Sequence, residues 1–255
     1  MLRRLVFLTV FLVSLCSSFS SMVTAQQATP EGVEVDGVTI VDPEEAYAGV
    51  APGEWLARNW QWTFSLPLDV SPSFNPDAPN CGYGQSGPVF FLPANFTADP
   101  AVTTCIVPQG TAIFTQVGTA ECSTVEPPPF FGRDEAELRA CAVALGSEDI
   151  VDIEASVNGE PVPNLERYLF RSPLFTLTLP EDNVLGVPPG VALSVAEGYA
   201  FIIAPPSPGE YEVFVSVTFS DGFTTAVTTR VVVEAPQVIE PAASPATSPE
   251  ATPVT

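Results

Sequence analysis

The sequence contains no histidine, and its eight basic residues are all arginine, so lysine is missing as well. Without imidazole there is no Ser-His-Asp or Cys-His relay and no histidine-bearing zinc site, which removes most common hydrolase mechanisms. Charged residues make up only 15% of the chain, against about 25% in an ordinary soluble protein. The formal charge of -22 therefore reflects missing cations, not a surplus of carboxylates. With no cluster of bases to release condensed counterions, nucleic acid is excluded as a partner and anionic bilayers should repel the chain. Neither a Cys-x-x-Cys knuckle nor an Asp-x-Asp-x-Asp-Gly loop is present, so a four-thiolate metal site and an EF-hand calcium loop are both disfavoured.

What the chain does have begins with an export pattern. Arg3 and Arg4 form a basic start, Leu5 to Val13 an apolar run, and Val23-Thr24-Ala25 a small-residue cleavage site. Residues 1–25 are expected to be a signal peptide, with Gln26 opening the mature chain at a formal charge of -24 once Arg3 and Arg4 are gone. The apolar run is well short of the roughly 20 residues that span a bilayer, and no later stretch reaches that length. This predicts a product released to the extracellular space or held at the cell envelope, with no membrane span after cleavage. Cleavage leaves Cys81, Cys105, Cys122 and Cys141, an even number that reads as two disulfides in an oxidising compartment. Of the three connectivities, sequential pairing closes the shortest loops, which favours Cys81 with Cys105 and Cys122 with Cys141.

The strand signals are regular. Residues 211–219 and 223–234 alternate apolar and polar around Asp221-Gly222, a dipeptide suited to a two-residue hairpin turn. Asn158-Gly159 and Asp36-Gly37 mark two more hairpins. Strand-like runs also occur at Val89–Leu92, Thr103–Val107, Ala112–Val117, Leu174–Leu179 and Tyr199–Ala204. The pattern predicts a single mainly β domain over residues 26–235, an antiparallel β-sandwich of jelly-roll or immunoglobulin-like type. Two short helices interrupt it. Asp134–Leu145 has Leu138, Cys141, Ala142 and Leu145 on one face, Asp134 and Glu137 as a capping box, and Gly146 as its stop. The other follows Pro52, from Gly53 to about Trp62, with bulky residues on most sides as in a buried element. After Glu234 proline recurs at 241, 245, 249 and 253, and residues 236–255 read as a disordered Pro/Ala/Ser/Thr tail.

Few residues offer chemistry. Trp55, Trp60 and Trp62 would make a stacking platform for sugar rings if exposed, and core packing if not. Gln85 and Ser86 sit in the glycine-rich segment Cys81–Pro88, which is either a ligand-approaching nest or a disulfide-pinned turn. Ser86 has no imidazole or amine to activate it as a nucleophile. Asn95-Phe96-Thr97 matches a glycosylation sequon. Glu121, Glu126, Asp134 and Glu135 form one acidic group, and Asp149, Asp152 and Glu154 another. Their simplest reading is solvated loop charge and helix N-terminal acids. Two carboxylates are nevertheless all that a glycosidase needs, which makes Glu121 and Glu126 the candidate catalytic pair.

The segments Trp55–Trp62, Cys81–Pro88 with Val89-Phe90-Phe91-Leu92, Glu121-Cys122-Ser123, Glu137–Cys141, Ser172–Phe175 and Leu179–Asn183 together resemble a family of secreted bacterial proteins with no established activity. That resemblance covers most of the mature chain and implies a shared exported fold. The Tyr211–Val233 hairpin is similar, more generically, to the last strands of immunoglobulin-like adhesion modules. The expected function is a non-enzymatic binding or structural module, with an extracellular glycan or cell-envelope component as partner, no cofactor and no metal. The alternatives are a carboxylate-dependent polysaccharide enzyme, and an adhesion domain using calcium.

Overall fold

The computed structural model describes residues 30–75, 81–97 and 99–234. The expected signal peptide, the Gln26 start and the 236–255 tail lie outside the described residues.

Turn chemistry sets the hairpins. Asp36-Gly37 (φ 40° and 79°) and Asn158-Gly159 (φ 51° and 85°) both place two residues at positive φ, which matches the twist of the strands they join. The first links β1 (Gly32–Val35) to β2 (Val38–Val41), the second β6 (Ile150–Val157) to β7 (Glu160–Pro161). The third hairpin, β11 (Gly209–Phe219) with β12 (Thr224–Glu234), departs from the expected two-residue turn. Only Gly222 is at positive φ, 86°. The Asp221 carboxylate instead accepts the Phe223 N–H at 2.8 Å, and Phe219 N–H bonds the Phe223 carbonyl across a three-residue loop.

The remaining strands are β3 (Val89–Phe91), β4 (Ala101–Pro108), β5 (Ala112–Ser123), β8 (Leu169–Arg171), β9 (Phe175–Leu179) and β10 (Gly190–Ile203). One sheet runs β1-β2-β10-β5-β3, with β8 and β9 also pairing β10; the other runs β4-β12-β11-β6-β7. The fold is mainly β, as expected, but the sheets are mixed and not purely antiparallel. β3 lies parallel to β5, and β4 lies parallel to β12. Both parallel pairings follow from long connections, which alone permit that orientation. The sheets face one another across a buried cluster that runs continuously from Val35 to Val233. They approach tightly at Gly118 of β5, where an added Cβ would stand 2.6 Å from Cγ2 of Val217.

Among the described residues there are two α-helices. α1 (Pro52–Ser65) starts with Pro52 in its first turn, where no N–H is needed. It buries Trp55, Leu56, Trp60, Trp62 and Phe64 against the first sheet. α2 (Glu135–Val143) is capped by Asp134, whose carboxylate accepts the Glu137 N–H at 3.0 Å. The reciprocal half of the expected box is displaced by one residue. The Glu137 carboxylate takes the Arg133 N–H at 2.9 Å as well as its guanidinium. Gly146 is no stop signal: the chain passes through it in a widened turn, Ala144–Glu148. It is glycine because a Cβ there would stand 2.2 Å from the Glu197 carbonyl oxygen. Gly146→Ala is accordingly expected to cost roughly 1–3 kcal/mol by forcing two backbones apart, measured as a lowered midpoint in urea with unchanged slope.

Both disulfides pair as the spacing suggested, Cys81–Cys105 and Cys122–Cys141, with Cα atoms 5.5 and 6.2 Å apart. The first ties the segment before β3 to β4 of the opposite sheet, and the second ties α2 to the end of β5.

Candidate functional site

β5 is bordered by β10 along its length. Its other edge is covered only at the ends, by β3 at Ala112–Phe114 and by Phe131 beside Ser123. Between these, among the described residues, no strand pairs with it. A cavity of about 430 Å³ opens there, with residues 116–121 forming one wall. Trp60 and Phe64 of α1 form another, joined by Phe74, Phe96, Phe130 and Phe223 from loops, while Val215 and Val217 close it from the opposite sheet. Ring contacts join four of these, with centroids 5.2 Å apart for Trp60–Phe64, 5.7 Å for Trp60–Phe96 and 4.7 Å for Phe74–Phe96.

Two acids stand in this apolar wall. Glu121 is 2% exposed and Glu126 9%, so the expectation that they are solvated loop charge is overturned. β5 extends to Ser123, well past the Val117 limit read from sequence, and carries Glu121 inside. Ser194 Oγ donates to Glu121 Oε1, and Ser123 Oγ to Glu126 Oε2 at 2.8 Å. No donor reaches Glu121 Oε2. Glu126 is the acid it is coupled to, and a proton shared between the two carboxyls would supply the missing donor. Burial first, then the neighbouring Glu126 charge, pushes Glu121 well above the usual carboxylate range. Burial raises Glu126 as well, with the bonds from Glu121 and Ser123 working against it. Of the two, Glu121 is pushed further toward its neutral form.

Other polar groups lie close by. Gln116 Nε2 donates to Asn59 Oδ1, and Thr119 Oγ1 to Gln116 Oε1 at 2.9 Å. Trp60 Nε1, 4% exposed as a residue, has no acceptor among the described residues. The other two indoles are satisfied, Trp55 by the Tyr47 carbonyl at 3.0 Å and Trp62 by the Tyr83 carbonyl at 2.9 Å. Trp55 and Trp62 are 3% and 6% exposed, so the three do not form an exposed sugar-stacking strip. They are core residues because α1 is sandwiched between the sheet and the loops. With Ser86, Trp55 and Trp62 border a second cleft of about 530 Å³.

Gln85 has a structural task. Its amide donates to the Cys81 and Phe91 carbonyls at 3.1 and 2.7 Å, and its Oε1 accepts the Phe91 N–H at 3.1 Å. This occupies the free edge of β3, and the glycine-rich segment is a disulfide-pinned turn. The Asn95 side chain is likewise engaged, donating to the Asp99 and Ala226 carbonyls at 2.8 and 3.0 Å. Asp134 caps α2 and Glu135 pairs with Arg139 at 2.6 Å, in line with the helix-acid reading. Asp149, Asp152 and Glu154 do not converge: among the described residues no three acid or sulfur side chains are placed to hold a metal ion.

Phe74, Phe96 and Phe130 belong to the site without a sequence signal, since loop phenylalanines carry no periodicity; Phe64 of α1 and Gln116 of β5 join them. The usable signal in the sequence is the scarcity of acid-base groups other than carboxylates, which singles out Glu121 and Glu126.

No protein-family model and no curated protein matches this chain. Among solved structures, one titled "Structure of PbICP-C in complex with falcipain-2" aligns with 58% of this chain and all of its own, at 12% identity and a TM-score of 0.26.

Proposed function

We propose that this protein is an extracellular, non-enzymatic binding module that takes an apolar small molecule into the cavity beside β5. The observation that carries this reading is the cavity itself. About 430 Å³ of space falls in the range of ligand pockets, and an aromatic wall with a few convergent polar groups is the composition such pockets have. The unpartnered Trp60 Nε1 supports it further, because a buried N–H without an acceptor is costly unless something else supplies one. Two disulfides fit an oxidising compartment, and no described helix is long and apolar enough to cross a membrane. Kinship with secreted bacterial proteins is part of this proposal. So is an immunoglobulin-like sandwich, which the antiparallel array β6–β11–β12 supports and the two parallel pairings modify.

The polysaccharide-enzyme alternative gains one point and loses another. Glu121 and Glu126 do meet in one cavity, but carboxyls that share a proton are closer than the roughly 5 Å or more needed to flank a glycosidic bond.

Titration calorimetry of the full chain with 2-(1-naphthyl)ethanol tests the reading. One site is expected, with a dissociation constant of tens of micromolar, on the order of 0.5 kcal/mol per heavy atom, and a negative heat-capacity change. Ala94→Trp, which fills the cavity mouth from a loop, should weaken binding at least about tenfold, a loss of about 1.4 kcal/mol. Equal affinity in wild type and Ala94→Trp would place the probe elsewhere and end the proposal.

A further inference from the structure

The cavity's electrostatics narrow its ligand beyond "apolar". Two carboxyls that hold one proton between them retain one negative charge. Around Glu121 and Glu126 the polar neighbours are the neutral hydroxyls of Ser194 and Ser123. The other titratable groups at the wall are Asp149, which Ser220 Oγ bonds, and Asp221; no arginine lines the cavity. Glu197 shows what this chain does with a buried carboxylate elsewhere. It is as buried as Glu121, yet it receives Arg171 Nε at 2.8 Å and Ser147 Oγ at 2.6 Å. A buried charge without a counter-ion is costly, and the Glu121–Glu126 pair is left without one beside open space.

We propose that the cavity binds an apolar monocation, an alkyl- or arylammonium group whose charge meets the Glu121–Glu126 pair while its hydrocarbon part lies against Trp60, Phe64, Phe96 and Phe130. The ammonium supplies the counter-charge that the pair lacks. The ring faces add attraction for the cation. The inference rests on reading the cavity as a binding site, and its test separates the two.

The full chain is titrated with 2-(1-naphthyl)ethylamine and with its neutral isostere 2-(1-naphthyl)ethanol. The amine is expected to bind about 10- to 100-fold tighter, the worth of a hydrogen bond to a charged group. Glu126→Gln removes the charge and keeps the shape, and the amine's advantage should vanish. Glu121→Gln leaves Glu126 ionised, and the advantage should persist. On the wild-type chain the advantage should also fade as acid puts a second proton on the pair, which decides the matter if Glu126→Gln does not fold. Equal binding of amine and alcohol overturns the ammonium inference and leaves the cavity reading standing. Binding of neither overturns both. An amine advantage that survives in folded Glu126→Gln, or that is unchanged in acid, places the cation on the outer acidic surface and overturns the inference.

Discussion

Replacing all four bridged cysteines with serine is expected to leave the chain unfolded at about 37 °C, the usual fate of a domain that depends on its disulfides. The bridges span 24 and 19 residues of sequence, and loop closure of that length is worth about 3 kcal/mol each in the chain-entropy account. Their sum rivals the whole stability of an ordinary domain, about 5–15 kcal/mol. Opening Cys122–Cys141 alone should lower the melting temperature by roughly 6–12 °C. It frees α2 from the end of β5, next to Glu121. Opening Cys81–Cys105 releases a tie between sheets and should cost about as much. Calorimetric melting of the variants, beside thiol titration of the unreduced wild type, checks both; melting within about 2 °C of wild type would show that the bridges do not stabilise the fold.

Glu121 is expected to make the protein less stable as pH rises. The sign follows from linkage: its native carboxyl ionises well above the unfolded one, so the native state holds more protons across the interval between them. Stability is unaffected below about pH 4.3, where both states are protonated. It then falls by up to about 1.4 kcal/mol per pH unit until the native group ionises. For a domain of this size that is roughly 3–5 °C per unit. Glu126, also raised, acts in the same direction. Glu137, held at about 2 by Arg133, acts in the opposite sense, but only as pH falls from about 4.3 toward 2, outside this window. Glu121→Gln should flatten the decline and raise the melting temperature at pH 8, as measured by melting curves from pH 4.5 to 8. A wild-type curve that is flat or rising over that range contradicts the shared proton.

The local features were legible because their causes are local. Asp36-Gly37 and Asn158-Gly159 announce positive φ, Asp134 announces a cap, and α1 shows its burial in having bulky residues on most sides. The same reasoning erred at Asp221-Gly222, where a side-chain bond to Phe223 N–H selects the longer turn. Parallel pairing of β4 with β12 joins residues more than a hundred positions apart, and nothing in either strand's alternation encodes its partner. The first half of β10 carries no clear strand signal because Ala192, Ser194, Ala196 and Gly198 are weak strand formers, in a strand that packs against α2. For the site, composition flagged Glu121 and Glu126 only through the scarcity of other acid-base groups. Their meeting in an apolar cavity depends on β5 continuing past Val117 through Gly118 and Thr119. Those polar and small residues read locally as the end of a strand, yet they line the cavity that β3 leaves uncovered.

The most direct test of the cavity as a proton-sharing ligand site is a carbon NMR titration of glutamate side-chain carboxyls in the full chain, with and without 2-(1-naphthyl)ethanol. The account predicts one glutamate carboxyl still protonated at neutral pH, absent in Glu121→Gln, whose resonance moves when the alcohol is added. If every glutamate carboxyl ionises near the ordinary value of about 4.3 and none responds to the ligand, the account is contradicted.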